Sequence, residues 1–163
     1  MTDFACLLQS LTAGQVEFII IGGFAATAHG SARITFDLDV VYRRTPENMS
    51  RLERALEPLS PYPRGAPSGL PFHFDVATIE RGLNFTLVTS AGDLDLLGEA
   101  AGGGAYDVLL AHSEVRAVLG LECRFVNLEM LIRLKRAAGR PKDFEIVAEL
   151  EALADERERA GRE

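Results

Sequence analysis

Two aspartates separated by one residue occur in the run F-D-L-D-V-V at positions 36–41, which has the composition of a β-strand. Side chains at positions i and i+2 of a strand point to the same face, so Asp37 and Asp39 would stand side by side. Two like charges on one face repel each other unless a cation neutralises them, and a divalent metal ion with oxygen ligands is the natural candidate. The alternative is that the pair lies on the solvated outer face of an edge strand. The alternating residues would face the core: Phe36, Leu38 and Val40.

A pair of glycines, Gly22 and Gly23, precedes this strand and lies between a β-prone run at 16–21 and a helix-like stretch at 24–29. Glycine allows a backbone to approach a ligand closely, and the amides at the start of a helix suit phosphate. A turn that merely connects a strand to a helix is the alternative. Arg33 and Thr35, just before the aspartates, would reach a nucleotide phosphate or serve a structural role.

The rest of the chain predicts elements that would position these residues. Residues 83–89 alternate in polarity and, with 93–97, predict a β-hairpin around a turn at 90–92. Residues 58–71 contain five of the seven prolines and predict an irregular loop that would act as a mobile flap. The other predicted elements are helices at 4–13, 46–56 and 106–111, strands at 16–21, 34–42 and 121–126, and two helices after Asn127 and Pro141.

This mixture of strands and helices predicts an α/β or α+β fold with a mixed central sheet flanked by helices. We expect residues 1–126 to form the core and residues 127–163 to form a C-terminal helical segment packed on it, as a single domain overall. Apolar residues make up 47% of the chain, enough for a core of this size.

Composition narrows the classes of function and the compartment. The net charge of −7 argues against a broad basic face that grips nucleic acid. Cys6 and Cys123 are far apart and form neither a disulfide framework nor a zinc motif, so a reduced, cytoplasmic compartment is expected. The N-terminus lacks the charge pattern of a signal peptide, and the longest charge-free run, 18–28, is too short to span a bilayer.

The two motifs together, I-I-G-G-F-A-A followed by R-I-T-F-D-L-D-V-V, resemble the signature of the DNA polymerase β-like nucleotidyltransferase superfamily. The resemblance implies a nucleotidyltransferase fold and a third carboxylate from a later strand. Asp95 in G-D-L-D-L-L is our choice for that carboxylate, and Asp93, which shares its face, is the alternative. Many members have serine where this chain has Gly23. Without that hydroxyl, only backbone amides of the turn would donate hydrogen bonds to phosphate.

Residues 131–143, L-I-R-L-K-R-A-A-G-R-P-K-D, resemble the K-x-x-A-x-R-x-K-D segment of a bacterial subgroup that includes abortive-infection-type nucleotidyltransferases. In toxin members of that subgroup the lysine and the aspartate matter for activity, which implies roles for Lys135 and Asp143. The alternatives are a solvated helix residue for Lys135 and a charge at a helix N-terminus for Asp143.

The resemblance implies an enzyme that moves an NMP from an NTP to a hydroxyl acceptor. The phosphates would lie against Gly22 and Gly23. Two Mg²⁺ ions, or Mn²⁺ instead, would be held by Asp37 and Asp39, with Asp95 completing the second metal site. The acceptor stays open: an RNA end, a protein or a small molecule. The rival hypothesis is a catalytically weak or inactive interaction module with the same fold, such as one half of a toxin–antitoxin pair, whose partner is the cognate toxin or antitoxin protein.

Overall fold

A computed structural model describes residues 1–162 and contains seven α-helices and nine strands in that range. The helices are α1 (Phe4–Ala13), α2 (Gly22–Ala28), α3 (Pro46–Leu56), α4 (Val76–Arg81), α5 (Tyr106–Leu110), α6 (Leu128–Ala138) and α7 (Pro141–Ala160). The strands are β1 (Phe18–Ile21), β2 (Asp37–Tyr42), β3 (Tyr62–Pro63), β4 (Asn84–Thr89), β5 (Gly92–Leu97), β6 (Glu99–Ala100), β7 (Gly104–Ala105), β8 (Ser113–Val118) and β9 (Leu121–Val126).

Seven of the strands form one mixed sheet in the order β3-β4-β5-β2-β1-β9-β8, and β6 pairs with β7 in a separate ribbon. β2 runs parallel to β5 and β1 runs parallel to β9, whereas the remaining neighbours are antiparallel. Helices pack against this sheet. The predicted class, a mixed sheet flanked by helices, is therefore confirmed.

The core forms because the central strands carry apolar side chains where both faces are covered. All four residues of β1 are buried, which agrees with its unbroken apolar run. In β2, Leu38 and Val40 are fully buried on one face, so the aspartates between them are directed to the opposite face. Three leucines of α1 complete this part of the core: Leu7, Leu8 and Leu11.

The C-terminal helices α6 and α7 lie against the core, on the side of the sheet to which the aspartates of β2 point. α6 begins at Asn127, whose side chain accepts a hydrogen bond from the Met130 amide, and it packs against α2 and α7. Gly139, with a φ of +65°, ends α6 and allows Pro141 to start α7. The division of the chain at residue 126 stays a prediction.

Three local expectations are corrected, and four elements are added. β2 begins at Asp37 and not at Ile34, because its pairing with β1 extends only to Asp39 and its pairing with β5 begins at Asp37, so residues 34–36 have no paired residue. Phe36 consequently does not face the core and is 73% exposed. The 58–71 loop contains the short strand β3, paired with β4. Helix α4 and strands β6, β7 and β8 were not predicted from the sequence.

Among residues 1–162, no helix combines the length and the apolar character that a membrane span requires.

Candidate active site

The carboxylates predicted from separate parts of the chain meet on one face of two parallel strands. In the register of β2 and β5, Asp39 lies opposite Asp95 and Asp37 lies opposite Asp93. Asp37, Asp39 and Asp95 each offer an oxygen atom, and these oxygens all lie within 4.8 Å of one another. The structure thus brings together the three carboxylates that the sequence analysis proposed as metal ligands.

Asp93 shares the strand face with Asp95 and, like Asp95, contacts Arg64, but it lies outside the three-carboxylate group. Its Oδ2 atom lies 3.5 Å from the Nε atom of Arg64, and it is absent from the three-carboxylate group among the described residues. Of the two alternatives for the third carboxylate, the geometry therefore favours Asp95.

The electrostatics of Asp39 indicate a site with excess negative charge. Burial, the neighbouring charge of Asp37 and a hydrogen bond with Asp95 together raise the pKa of Asp39 to about 8. The raised pKa favours the protonated form of Asp39 at neutral pH, because the ionised form would add to the negative charge of the cluster. An oxygen-only ligand set with unbalanced negative charge fits Mg²⁺ or Mn²⁺, which prefer such ligands.

The glycine turn is required by the position of Asp39. Gly22 has a φ of +70°, and a Cβ atom there would lie 2.1 Å from Oδ2 of Asp39. A Cβ atom on Gly23 would lie 2.7 Å from Oγ1 of Thr35. A side chain at either position would require a neighbouring side chain to shift, and Gly22 also adopts a backbone conformation that disfavours other residues. The turn leaves a bare backbone wall directly beside the carboxylates.

These residues line a cleft of about 740 Å³ between the sheet and the C-terminal helices. Its acidic floor is formed by the three clustered aspartates. Its other residues include four basic side chains, which are Arg33, Lys135, Arg140 and Lys142. A cavity with a carboxylate floor and basic walls has room and charge for a phosphorylated ligand together with cations.

Lys135 reaches the cleft from α6 and lies above a buried carboxylate. Its Nζ atom is 3.9 Å from Oδ1 of Asp143, and its side chain is only 11% exposed. Burial lowers the pKa of Lys135, and the charges of Asp143 and Asp39 oppose that change. The solvated-residue alternative for Lys135 does not describe this environment.

Asp143 has a structural role that its position at the start of α7 explains. It is 1% exposed, and its Oδ2 atom accepts hydrogen bonds from the backbone amide of Arg140 (3.1 Å) and from the Arg140 Nε atom (2.8 Å). Burial works against ionisation, yet these hydrogen bonds and the Arg140 charge hold the pKa of Asp143 below its ordinary value. Asp143 therefore caps α7, and it touches the cleft beside Lys135.

The two predicted phosphate contacts also have partners within the chain. The Nε atom of Arg33 lies 3.0 Å from Glu149, and its Nη1 atom lies 3.5 Å from Glu145 on α7. The hydroxyl of Thr35 donates a hydrogen bond to the Asp37 carbonyl at 3.2 Å. Both side chains line the cleft, but their contacts as described are structural.

Arg64 is a residue of this site that the sequence analysis missed. Its Nη2 atom donates to Oδ1 of Asp95 at 2.8 Å, and its side chain is 28% exposed. Arg64 lies in the proline-rich segment predicted as a flap, where no periodic pattern marks individual residues. The available signal in the sequence is that Arg64 is the one arginine or lysine among residues 58–71. The pairing of this segment with β4, which brings Arg64 to the site, is visible only in the structure.

Comparison with known proteins supports the fold and leaves the family open. No protein-family model matches the chain, and no curated protein matches its sequence. The solution structure of the antibiotic-resistance factor ANT(2'')-Ia, which has the nucleotidyltransferase fold, is similar, with a TM-score of 0.54 and 17% sequence identity. The match covers 96% of this chain and 90% of that protein. The expected nucleotidyltransferase fold is thereby confirmed.

Proposed function

We propose that this protein is a metal-dependent nucleotidyltransferase that moves an NMP from an NTP to a hydroxyl acceptor. The observation that carries the proposal is the meeting of Asp37, Asp39 and Asp95 within 4.8 Å, beside the bare turn at Gly22. The nucleotidyltransferase fold supports the same reaction class.

The residues of the cleft have distinct proposed roles. Asp37 and Asp39 would hold the divalent cations, and Asp95 would complete the second cation site. Asp95 would also accept the proton of the hydroxyl that attacks the α-phosphorus, while pyrophosphate leaves. The Gly22-Gly23 backbone lies against the NTP phosphates. Bound cations would neutralise phosphate charge and lower the pKa of the hydroxyl.

Lys135 is proposed to balance charge that develops on the phosphates during transfer. Its ammonium group is held in a part of the cleft with little solvent, where an electrostatic contact is stronger than in water. Asp143 keeps this ammonium in place, and Arg33 and Thr35 would reach the phosphates after exchanging their present partners.

The acceptor belongs to one of three classes, which are RNA ends, proteins and small molecules. The residues of the K-x-x-A-x-R-x-K-D segment lie beside the carboxylates, and this placement supports a proposed relationship to the abortive-infection-type subgroup. A cognate toxin or antitoxin is the protein partner that this relationship predicts, and the cytoplasm is the proposed compartment.

Transfer from a labelled nucleotide tests the proposal. Wild-type protein, Asp37→Asn and Asp39→Asn are incubated with each α-labelled NTP, Mg²⁺ or Mn²⁺, and fractionated cell lysate as the source of acceptors. Label should enter an acceptor with the wild type and with the exposed control Asp155→Asn, but not with Asp37→Asn or Asp39→Asn. Equal labelling by Asp39→Asn would refute the metal assignment.

The rival function, an inactive interaction module, is separated by ligand-dependent stability. A protein that binds NTP and Mg²⁺ in its folded state gains thermal stability by mass action. An unchanged melting temperature at millimolar NTP and Mg²⁺ would favour the module.

A further inference from the structure

The segment between α3 and β4 brings a cation into the carboxylate site from across the sheet. Immediately after β3, the amide of Arg64 donates a hydrogen bond to the carbonyl of Thr86 at 2.9 Å, which ties the segment to β4. Thr86 lies opposite Asp95 in the β4–β5 register. The Arg64 side chain passes over β4 and reaches the same sheet face as the clustered carboxylates.

The guanidinium group of Arg64 is divided between two carboxylates. Its Nη2 atom donates to Oδ1 of Asp95 and to the Leu87 carbonyl, each at 2.8 Å. Its Nε atom lies 3.5 Å from Oδ2 of Asp93, and among the described residues this buried atom has no hydrogen-bond acceptor. A buried donor without an acceptor is costly, so a small movement of the guanidinium towards Asp93 would gain a hydrogen bond.

From these contacts we infer that Arg64 is a built-in counter-cation that competes with divalent metal for Asp95. In the metal-free protein it neutralises part of the charge on the face that Asp37, Asp39, Asp93 and Asp95 share. When a divalent cation binds at Asp95, Arg64 leaves Oδ1 of Asp95 and moves onto Asp93. The inference rests on the proposed function, because it requires Asp95 to be a metal ligand.

The competition arises because the Arg64 guanidinium and a divalent cation would both bind the carboxylate of Asp95. A guanidinium at 2.8 Å from Oδ1 of Asp95 occupies one lone pair and offsets the charge of that carboxylate, which weakens its attraction for a metal ion, and two cations near one carboxylate repel each other. Asp93 is placed to accept the displaced guanidinium because it lies on the same strand face and is already in ion-pair range. Asp93 thereby acquires a role distinct from that of a metal ligand.

A different reading of the same contacts gives the opposite result for metal affinity. If Arg64 only oriented Asp95 for coordination, removing it would misplace the ligand and weaken metal binding. If Arg64 competes, removing its charge strengthens metal binding and leaves the metal-free protein less stable.

Mn²⁺ binding, measured by the electron paramagnetic resonance signal of the free ion, distinguishes these readings without any activity assay. The experiment compares the wild type with Arg64→Gln, Arg64→Lys and Arg54→Gln, an exposed arginine of α3 that controls for net charge. We expect Arg64→Gln to lower the Mn²⁺ Kd on the order of tenfold. Arg64→Lys keeps the competing charge and should stay near the wild type, as should Arg54→Gln.

The outcomes separate failure of the competition by Arg64 from failure of the proposed metal site. Binding by the wild type with equal or weaker binding by Arg64→Gln overturns the competition and leaves the proposed metal site intact. If Arg64→Gln does not fold, tighter-than-wild-type binding by Arg64→Lys overturns the competition, and binding near that of the wild type supports it. An absence of Mn²⁺ binding by both the wild type and the Arg64 variants overturns the proposed metal site and, with it, the inference.

Discussion

Asp39 and Asp95 face each other across the parallel pair β2–β5, close enough to share a hydrogen bond although they come from distant parts of the chain. This contact raises the pKa of Asp39 together with burial and the charge of Asp37. Ionisation of Asp39 is therefore unfavourable in the absence of a cation, and this has measurable consequences for stability and metal binding.

The first consequence concerns stability without metal. A carboxyl group whose pKa is raised to about 8 in the folded state binds its proton more tightly there than in the unfolded chain. Stability is therefore lost as the pH rises from the unfolded pKa of roughly 4 towards 8. Asp39→Asn removes this loss. The test is urea unfolding at pH 8 in the presence of a chelator. The free energy of unfolding of Asp39→Asn should exceed that of the wild type by at least about 1 kcal/mol.

The gain for Asp39→Asn should shrink as the pH falls towards 4, whereas the surface variant Asp155→Asn should show little change at either pH. If Asp39→Asn were less stable than the wild type at pH 8, the raised pKa of Asp39 would be contradicted.

The second consequence concerns metal affinity and pH. Metal coordination requires an ionised Asp39, so binding must release the proton held at neutral pH. We expect Mn²⁺ affinity to rise with pH up to about 8, the pKa of Asp39, and to level off above it. Calorimetry in two buffers of different ionisation enthalpy at pH 7 measures the released proton directly. Identical binding enthalpies in both buffers would show that no proton leaves.

The third prediction separates backbone strain from steric collision at the glycine turn. Gly22→Ala combines a positive φ with a Cβ atom 2.1 Å from Asp39, whereas Gly120→Ala has a φ of +78° and no atom within 4 Å of the new Cβ. Gly120→Ala should lower the free energy of unfolding by about 1–2 kcal/mol. Gly22→Ala should lower it clearly more and weaken Mn²⁺ binding. Equal destabilisation in urea would show that Asp39 moves aside freely.

The fourth prediction assigns different functions to Lys135 and Asp143. Lys135→Gln removes an ammonium whose burial already lowers its pKa, so the melting temperature should change little while nucleotide transfer falls by about tenfold or more. Asp143→Asn weakens the cap that Arg140 forms with it and should lower the melting temperature. Thermal unfolding and transfer rates, measured beside Arg136→Gln, test this division. A large loss of stability in Lys135→Gln would make its role structural.

The fifth prediction concerns Phe36, which is 73% exposed and lines the cleft. An aromatic ring in this position can stack on a nucleobase, a contact typically worth roughly 1–3 kcal/mol. Phe36→Ala should leave the melting temperature unchanged and raise the NTP Kd about fivefold or more. Val115→Ala, which alters an exposed apolar residue of β8, should change neither quantity.

The sequence predicted those parts of the site whose signal is local. The i, i+2 spacing placed Asp37 and Asp39 on one strand face, and the hairpin placed Asp95 on another. Periodicity does not say which strands become neighbours, so the third carboxylate from a later strand came from the family resemblance, and the pairing of β2 with β5 was not predicted. The preference for Asp95 over Asp93 came from its mid-strand position, and the structure adds that the oxygens of Asp95 approach those of Asp37 and Asp39 within 4.8 Å.

The missed features depend on tertiary contacts that leave little trace in the sequence. Arg64 lies in a segment whose prolines indicate turns, and its short strand exists because β4 offers a free edge. In β8 no residue is buried, so the strand lacks the apolar alternation that identifies a half-buried strand. Phe36 was placed in the core by extending the alternation beyond the last residue that has a pairing partner.

The parallel register of β2 and β5 also joins two parts of the chain that are synthesised far apart. Between them the chain must form α3, the segment with Arg64, α4 and β4, so a nascent polypeptide that ends before Gly92 carries Asp37 and Asp39 without their partner. Such long-range pairings form late because loop closure precedes any gain from contact. The three carboxylates can therefore come together only in a chain that already includes β5, and the basic wall of the cleft requires the still later helices α6 and α7.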